Sequence, residues 1–545
     1  MMSDVNNTSA QTESLIRPIA ASALAGFAFV GDSVVALDRY SGSLISIEPA
    51  TGATTVLNPY PQQRLSGARG LAYSGGLVWI SQERTVYQSS LTKKGRLGPL
   101  EPLLSLPEPV EGVAVDGDRI YLTCRYSSRI LIFDRALGKQ VGEFYAPGVG
   151  EENLYVHNHS LYGPALWVCD SLEQTVYCLD LQTGDLRFNL LTPFEQPSGL
   201  AFLGDELYVA YAGDERYIRE SPNDEDPFQV AVRDQTFIHS LSFKHFVEER
   251  YTLSGGYRVE LTYLEEIDPL EPVTLEDLTW KIALPDNTHR QKVCQVEPVG
   301  MPFTEEVHGT QRMAVFHFDR LEPGEVRLFG WRAVLEVRGI KYNLRFEDVE
   351  DAGELPAELR EQYLVDDDDL AMDTESVRQA AVEAIGSETN LLRQMLGIRN
   401  YVYDHLSYRV TPYIDAPDSV LERGSGSCGE YVGVLLALAR LNGIACRTVG
   451  RYKCPPHPDL RGVPLIPEYN HVWIEFYIPD FGWVPMESNP DDTGDSPYPR
   501  RFFMGLPWLH VEIGRGISFE TISARDYSIG ELAINHVRFR VLDEL

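Results

Sequence analysis

The chain has 545 residues, 43% of them hydrophobic and 23% charged, which excludes a disordered chain or a minimal scaffold and leaves room for three or four domains. Its formal net charge of −33 opposes attraction to nucleic acid or to an anionic membrane, so a basic or neutral partner is expected. Seven cysteines, an odd number without a tight framework of spacings, read as reduced thiols and a cytoplasmic protein.

The opening "MMSDVNNTSAQTESLIRPIAAS" has no basic n-region and no apolar h-region, and no later apolar run is long enough to span a bilayer. Residues 1–18 are expected to form a flexible tail. A unit then recurs: "GFAFVGDSVVALDRYSGSLISIEPATG", "GLAYSGGLVWISQERTVYQSSL", "GVAVDGDRIYLTCRYSSRILIFDRALG" and "GLAFLGDELYVAYAGDERYI". The leading glycines Gly26, Gly70, Gly112 and Gly199 lie 44, 42 and 87 residues apart, the last step being two periods. In the gap, "LYGPALWVCDSLEQTVYCLDLQTG" supplies strands without the glycine. This period of short alternating strands predicts a β-propeller of about five blades over residues 19–230, offering loops for a bound partner. Its local pattern resembles NHL-type propellers. The "HNH" at His157–His159 has no further ligands at recognisable spacing and reads as a surface loop.

Residues 235–348 alternate strictly in "GYRVELTYL", with Tyr257, Val259, Leu261 and Tyr263 against Arg258, Glu260 and Thr262. With "RMAVFHF" and "WRAVLEVRGIKYNL", this predicts an immunoglobulin-like β-sandwich. Residues 349–385 read as an acidic linker with a helix. The Asp366–Asp369 run lacks EF-hand spacing and is expected to be solvated.

From residue 386 to 545 an α+β core is expected. Leu391, Leu392, Met395, Ile398, Val402 and Leu406 recur at helical steps. After a polar loop, "GSGSCGEYVGVLLALARLNG" sets Cys428 at the mouth of a second helix with Val432, Leu435, Leu436 and Ala439 on one face. A cysteine there meets the positive end of the helix dipole, which favours its thiolate, and the unpaired N–H groups suit an oxyanion. A buried structural cysteine is the alternative. In "EYNHVWIEFYIPDFGWVPMESNPDD" a strand places His471 on the polar side. Glu487 follows 16 positions later, across a hairpin, where a carboxylate can orient the imidazole.

Together "GSGSCGEY", "HVWIE" and "GWVPME", with "LNGIACRTVGRY" and "HVEIGRGIS", resemble the bacterial type of the transglutaminase-like superfamily over roughly residues 385–525. The resemblance implies a papain-like core with Cys428 as nucleophile, His471 as general base and acid, and Glu487 where the family usually has Asp. Tyr408 is a candidate oxyanion hydroxyl, with a core aromatic as the alternative. Asn489 is a rival orienting group. Cys446, Cys454 and His457 make a partial zinc set without a fourth ligand, so neither metal nor cofactor is expected. The implied chemistry is acyl transfer through a thioester on a peptide or carboxamide, with hydrolysis ahead of an amine acceptor. The alternative is an inactive scaffold that binds partners through the propeller.

Overall fold

The computed structural model describes residues 15–60, 64–92, 95–212, 216–219, 229–232, 236–268, 274–309, 311–367, 369–411, 413–456, 460–467, 470–524 and 526–545. The chain divides into two compact units, Met1–Ser242 and Phe243–Leu545.

The first unit contains five successive four-stranded antiparallel sheets. Four are local meanders, beginning with Leu24–Val30, Ala68–Ser74, Gly112–Asp116 and Glu151–His159. In the fifth, Pro197–Leu203 and Glu206–Tyr211 are completed by Phe237–Ser240 and then by Leu15–Ile16 from the start of the chain. The unit therefore uses residues on both sides of the 19–230 span expected from the repeat, because its last sheet joins the two ends of the segment.

The first strand of each sheet packs beside the first strand of the next, and the fifth returns to the first. The recurring glycines sit at these contacts. A Cβ on Gly70 would lie 2.8 Å from the Gly112 Cα, and one on Gly199 would lie 3.0 Å from the Gly26 Cα, so hydrogen alone fits. The repeat without a glycine has Asn153 in the equivalent strand. Its buried amide donates to the carbonyls of Ala25, Arg69 (3.2 Å) and Ser198 (3.0 Å). Asn153 thus ties together three other first strands.

The expected HNH loop is instead the end of the strand Glu151–His159. His157 stacks on Phe202 at 4.1 Å and meets Asp205 at 3.3 Å, and His159 accepts from the Leu161 N–H. Both imidazoles have structural partners.

In the second unit, a sheet built on the long strands Tyr251–Ile267 and Arg327–Tyr342 faces a second sheet of Thr304–His308, Gln311–Leu321, Leu275–Ala283 and Glu520–Ile522. Tyr257, Val259, Leu261 and Tyr263 are buried, and the intervening residues are partly exposed. Between the layers Phe329 packs edge-on against Trp280, Phe316 and Phe318. The final strand Ala533–Glu544 pairs with Tyr251–Ile267, so the end of the chain belongs to this sheet and not to the α+β core.

The acidic stretch is solvated at Asp366, Asp367 and Asp369, as expected, but the helix that follows is packed into the core. Helix Glu375–Ile385 buries Val377, Ala380 and Ala381 in the same apolar cluster as Leu392, Met395, Ile398 and Val402. Its charged residues lie on the outer face, which hides a one-sided apolar stripe within an acidic composition. Asp366 accepts from the N–H groups of Leu370 (2.6 Å) and Met372 (2.9 Å), and Asp367 pairs with Arg440. Among the described residues no helix is long and apolar enough to cross a membrane.

Candidate active site

The helix Cys428–Leu441 runs through the middle of the α+β core and is buried on almost every side. It packs on a four-stranded antiparallel sheet in the order Gly482–Met486, Asn470–Ile478, Cys446–Lys453 and His510–Ile513. Ser427 and Glu430 form a capping box at its start, with the Ser427 N–H donating to Glu430 at 2.7 Å. Glu430 also accepts from Thr411 (2.9 Å), the Asp415 N–H (3.2 Å) and Arg423 (2.6 Å). These donors hold its carboxyl down to about 2 although burial alone would raise it.

The small residues before Cys428 have a steric reason. A Cβ on Gly426 would lie 2.9 Å from the Glu430 Cβ. Gly424, with φ +69°, ends a short helix Pro417–Arg423 where a polar loop was expected. Pro at the first helical position and Gly just past the end were the available signals for that helix.

Cys428 is half-buried and interacts with the His471 imidazole. His471 is buried at the start of its strand, where Trp473 and the rest of the core cover it, so the face expected to be polar is enclosed. Its Nε2 lies 2.8 Å and 3.0 Å from the two oxygens of Glu487. Glu487 is 1% exposed and sits just beyond the strand Gly482–Met486.

The electrostatics of the three follow from this contact. Burial pushes the Cys428 thiol up, but its hydrogen bond to His471, the charge of that imidazole and the Val472 backbone outweigh it and leave the thiol below its usual value. Burial pulls His471 down, yet the Glu487 charge and the bonds to Cys428 and Glu487 raise it overall. Burial would also raise Glu487, but His471, Lys453 and His510 hold it well below the carboxylate range.

Two further groups complete the cluster. Lys453 Nζ is 2.8 Å from Glu487 Oε1, and His510 Nε2 bonds to the same oxygen. The family resemblance covers the His510 strand but implies no role for its imidazole. The segment "HVEIGRGIS" was the available signal, and the structure buries all four residues of its strand His510–Ile513. Among the described residues, His471, Glu487 and His510 are also the group of side chains near enough to share an ion, and both imidazoles hydrogen-bond to Glu487.

The remaining candidates differ in their surroundings. Tyr408 is 47% exposed, on a two-residue strand pairing with Ser425–Gly426, so it is not the core aromatic considered as its alternative. Asn489 is half-buried, and its Oδ1 accepts from Ser488 Oγ at 2.9 Å while its carbonyl accepts from the Asp492 N–H. It therefore lies in the turn that follows Glu487 and not on a strand. Cys446 and Cys454 are buried at opposite ends of the extended strand Cys446–Lys453. At about 3.3 Å per residue they are too far apart to share an ion. His457 lies outside the described residues.

Residues 378–488 match the sequence profile of the Transglutaminase-like superfamily. They form a transglutaminase-like domain. No curated protein sequence matches the chain. Among solved structures, a candidate cysteine protease from Cytophaga hutchinsonii is 13% identical with a TM-score of 0.38, over 56% of this chain and 93% of that one. A glutaminyl cyclase from Myxococcus xanthus is 10% identical with a TM-score of 0.30, over 42% and 93%. A luciferin-regenerating enzyme is 14% identical with a TM-score of 0.27, over 41% and 94%. The transglutaminase-like domain contains Cys428, His471 and Glu487, whereas His510 lies beyond the matched span.

Proposed function

We propose that the transglutaminase-like domain carries out cysteine-dependent acyl transfer on peptide or carboxamide bonds, with water as the main acceptor. One observation carries the reading. Cys428 opens a helix beside the His471–Glu487 pair, and of the seven cysteines only its thiol is lowered from the ordinary value, while burial pushes Cys124, Cys178, Cys446 and Cys454 up to about 12 and also raises Cys169 and Cys294.

In this reading the Cys428 thiolate adds to the carbonyl carbon, and the helix N-terminal N–H groups face the developing oxyanion. The C–N bond breaks as the His471 imidazolium gives its proton to the departing amine, leaving a thioester. His471 then takes a proton from water, whose oxygen attacks the thioester; the acid product and the thiol are released. Glu487 keeps the imidazole oriented and balances its charge. An amine in place of water would give a new amide at the same site.

For the first unit we propose a five-bladed propeller that selects the peptide or protein partner. The return of its last first-strand contact to its first, and the pairing of Leu15–Ile16 with Phe237–Ser240, support that reading.

The test is alkylation with iodoacetamide and peptide mapping. Cys428 should react below neutral pH, and the reaction should vanish in Cys428→Ala without loss of fold. If Cys428 reacts no faster than exposed Cys294, the enzyme reading gives way to the scaffold alternative.

A further inference from the structure

The acid of the proposed triad is one methylene longer than the aspartate usual in the family it resembles, and the surrounding strands supply a reason. Cys446–Lys453 lies between the strands Asn470–Ile478 and His510–Ile513. Lys453 pairs directly with His510, and Arg451, two residues before it, pairs with His471. Side chains two apart on a strand share a face, so His471, Lys453 and His510 project from one side of the sheet. All three converge on the Glu487 carboxylate: His471 reaches both oxygens, and Lys453 and His510 reach Oε1.

His510 is 1% exposed, and its Nδ1 has no partner among the described residues. Trp473 meets its ring edge-on at 5.0 Å. Burial pulls it down to about 3. A neutral ring with its proton on Nε2 satisfies this environment, so His510 is an uncharged donor to the carboxylate. Lys453 supplies the charge, and it is 24% exposed at the side chain.

We propose that Lys453 and His510 are positioning residues that act through Glu487, fixing the acid at glutamate length and setting the pH range over which the Cys428–His471 pair is charged. The proposal rests on the reading of Cys428 as a nucleophile. The other groups around the carboxylate are the Ser488 N–H at 3.2 Å, the Cys428 thiol and the buried phenol of Tyr403. Only Lys453 among these neighbours brings a fixed positive charge that does not take part in the proton transfers. Removing it leaves the site more negative, so both the thiolate and the imidazolium midpoints move to higher pH. Replacing Glu487 by Asp withdraws the carboxylate by about one C–C bond, roughly 1.5 Å. That is enough to lose donors on Oε1, since hydrogen bonds weaken steeply beyond about 3.2 Å.

The experiment measures the rate of Cys428 alkylation by iodoacetamide from pH 4 to 10 in the full chain, with thermal melting as the control for folding. Lys453→Met should raise the lower midpoint by about 0.5–1 pH unit. His510→Leu should lower the rate near neutral pH by about tenfold, and His510→Gln, which keeps a donor, should restore most of it. Glu487→Asp should be slowed at least as much as His510→Leu. If wild type reacts at low pH but Lys453→Met and Glu487→Asp keep its profile, the proposal is overturned and the triad reading stands. If His510→Leu loses folding, the Lys453→Met profile alone decides. If wild-type Cys428 is unreactive at low pH, the triad reading fails first and takes this proposal with it.

Discussion

Glu487 and Glu265 are buried acids of the second unit, and Glu520, beside Glu265, is half-buried, yet Glu487 shifts in the opposite direction to the other two. Glu487 meets two imidazoles and an ammonium and is held well below the usual carboxylate range. Glu265 and Glu520 meet Tyr263, whose hydroxyl is 3.0 Å from Glu520, and Trp280, and they face one another. For each of them burial is the largest cause of a raised carboxyl, and for Glu265 the charge of Glu520 adds to it; Arg451 only partly opposes the shift. Burial alone therefore does not decide the state of an acid. Cationic donors within hydrogen-bond reach keep it ionised, whereas burial beside a second carboxyl outweighs the neutral donors Tyr263 and Trp280 and favours the protonated acid.

The largest expected effect comes from removing the charge of Glu487 while keeping its shape. Glu487→Gln should lower turnover by roughly three to four orders of magnitude, as loss of an orienting carboxylate does in other triads, and should raise the pH at which Cys428 alkylates. A variant close to wild type would mean that hydrogen bonding without charge suffices.

Next comes the pH dependence of activity. The reacting pair needs a thiolate, favoured above the lowered Cys428 value, and an imidazolium, favoured below the raised His471 value. The rate should therefore rise with pH through the first and fall through the second, giving a bell measurable in single-turnover acylation.

The paired acids should instead act on stability. Their folded values lie above those of the unfolded chain, so the folded state keeps protons that the unfolded chain has released. Stability contributed in acid is then lost as pH rises from the ordinary carboxylate range through the raised values. Glu265→Gln should flatten that loss, seen as a smaller drop in Tm between pH 5 and pH 8, with little change in Cys428 alkylation. An unchanged slope would refute the raised carboxyls. Glu487 runs the other way: its share of stability is present above the ordinary carboxylate range and disappears as pH falls through its depressed folded value.

The smallest effect is expected at Asn489, whose side chain bonds to Ser488 in a turn. Asn489→Ala should change turnover by less than about threefold, well within the roughly 1 kcal/mol typical of one neutral hydrogen bond. A larger fall would move the orienting role from Glu487 to Asn489.

Local pattern made much of this molecule readable. The glycine repeat, the strict alternation of Tyr257 to Tyr263 and the small residues leading into Cys428 each follow from chemistry within one element. The spacing of Cys428, His471 and Glu487 was readable because a helix mouth and a hairpin place them almost unaided. Tertiary structure decided the rest. Asn153 replaces a repeat glycine through bonds to three other strands, and Val377, Ala380 and Ala381 draw an acidic helix into the core. Leu15–Ile16 and Ala533–Glu544 find partners more than two hundred residues away. Lys453 and His510 meet Glu487 only because their two strands are neighbours in the sheet. The physical reason is common to these cases: periodicity records which face of an element is apolar, whereas which element covers that face, and which charges meet there, is settled by pairing between distant segments.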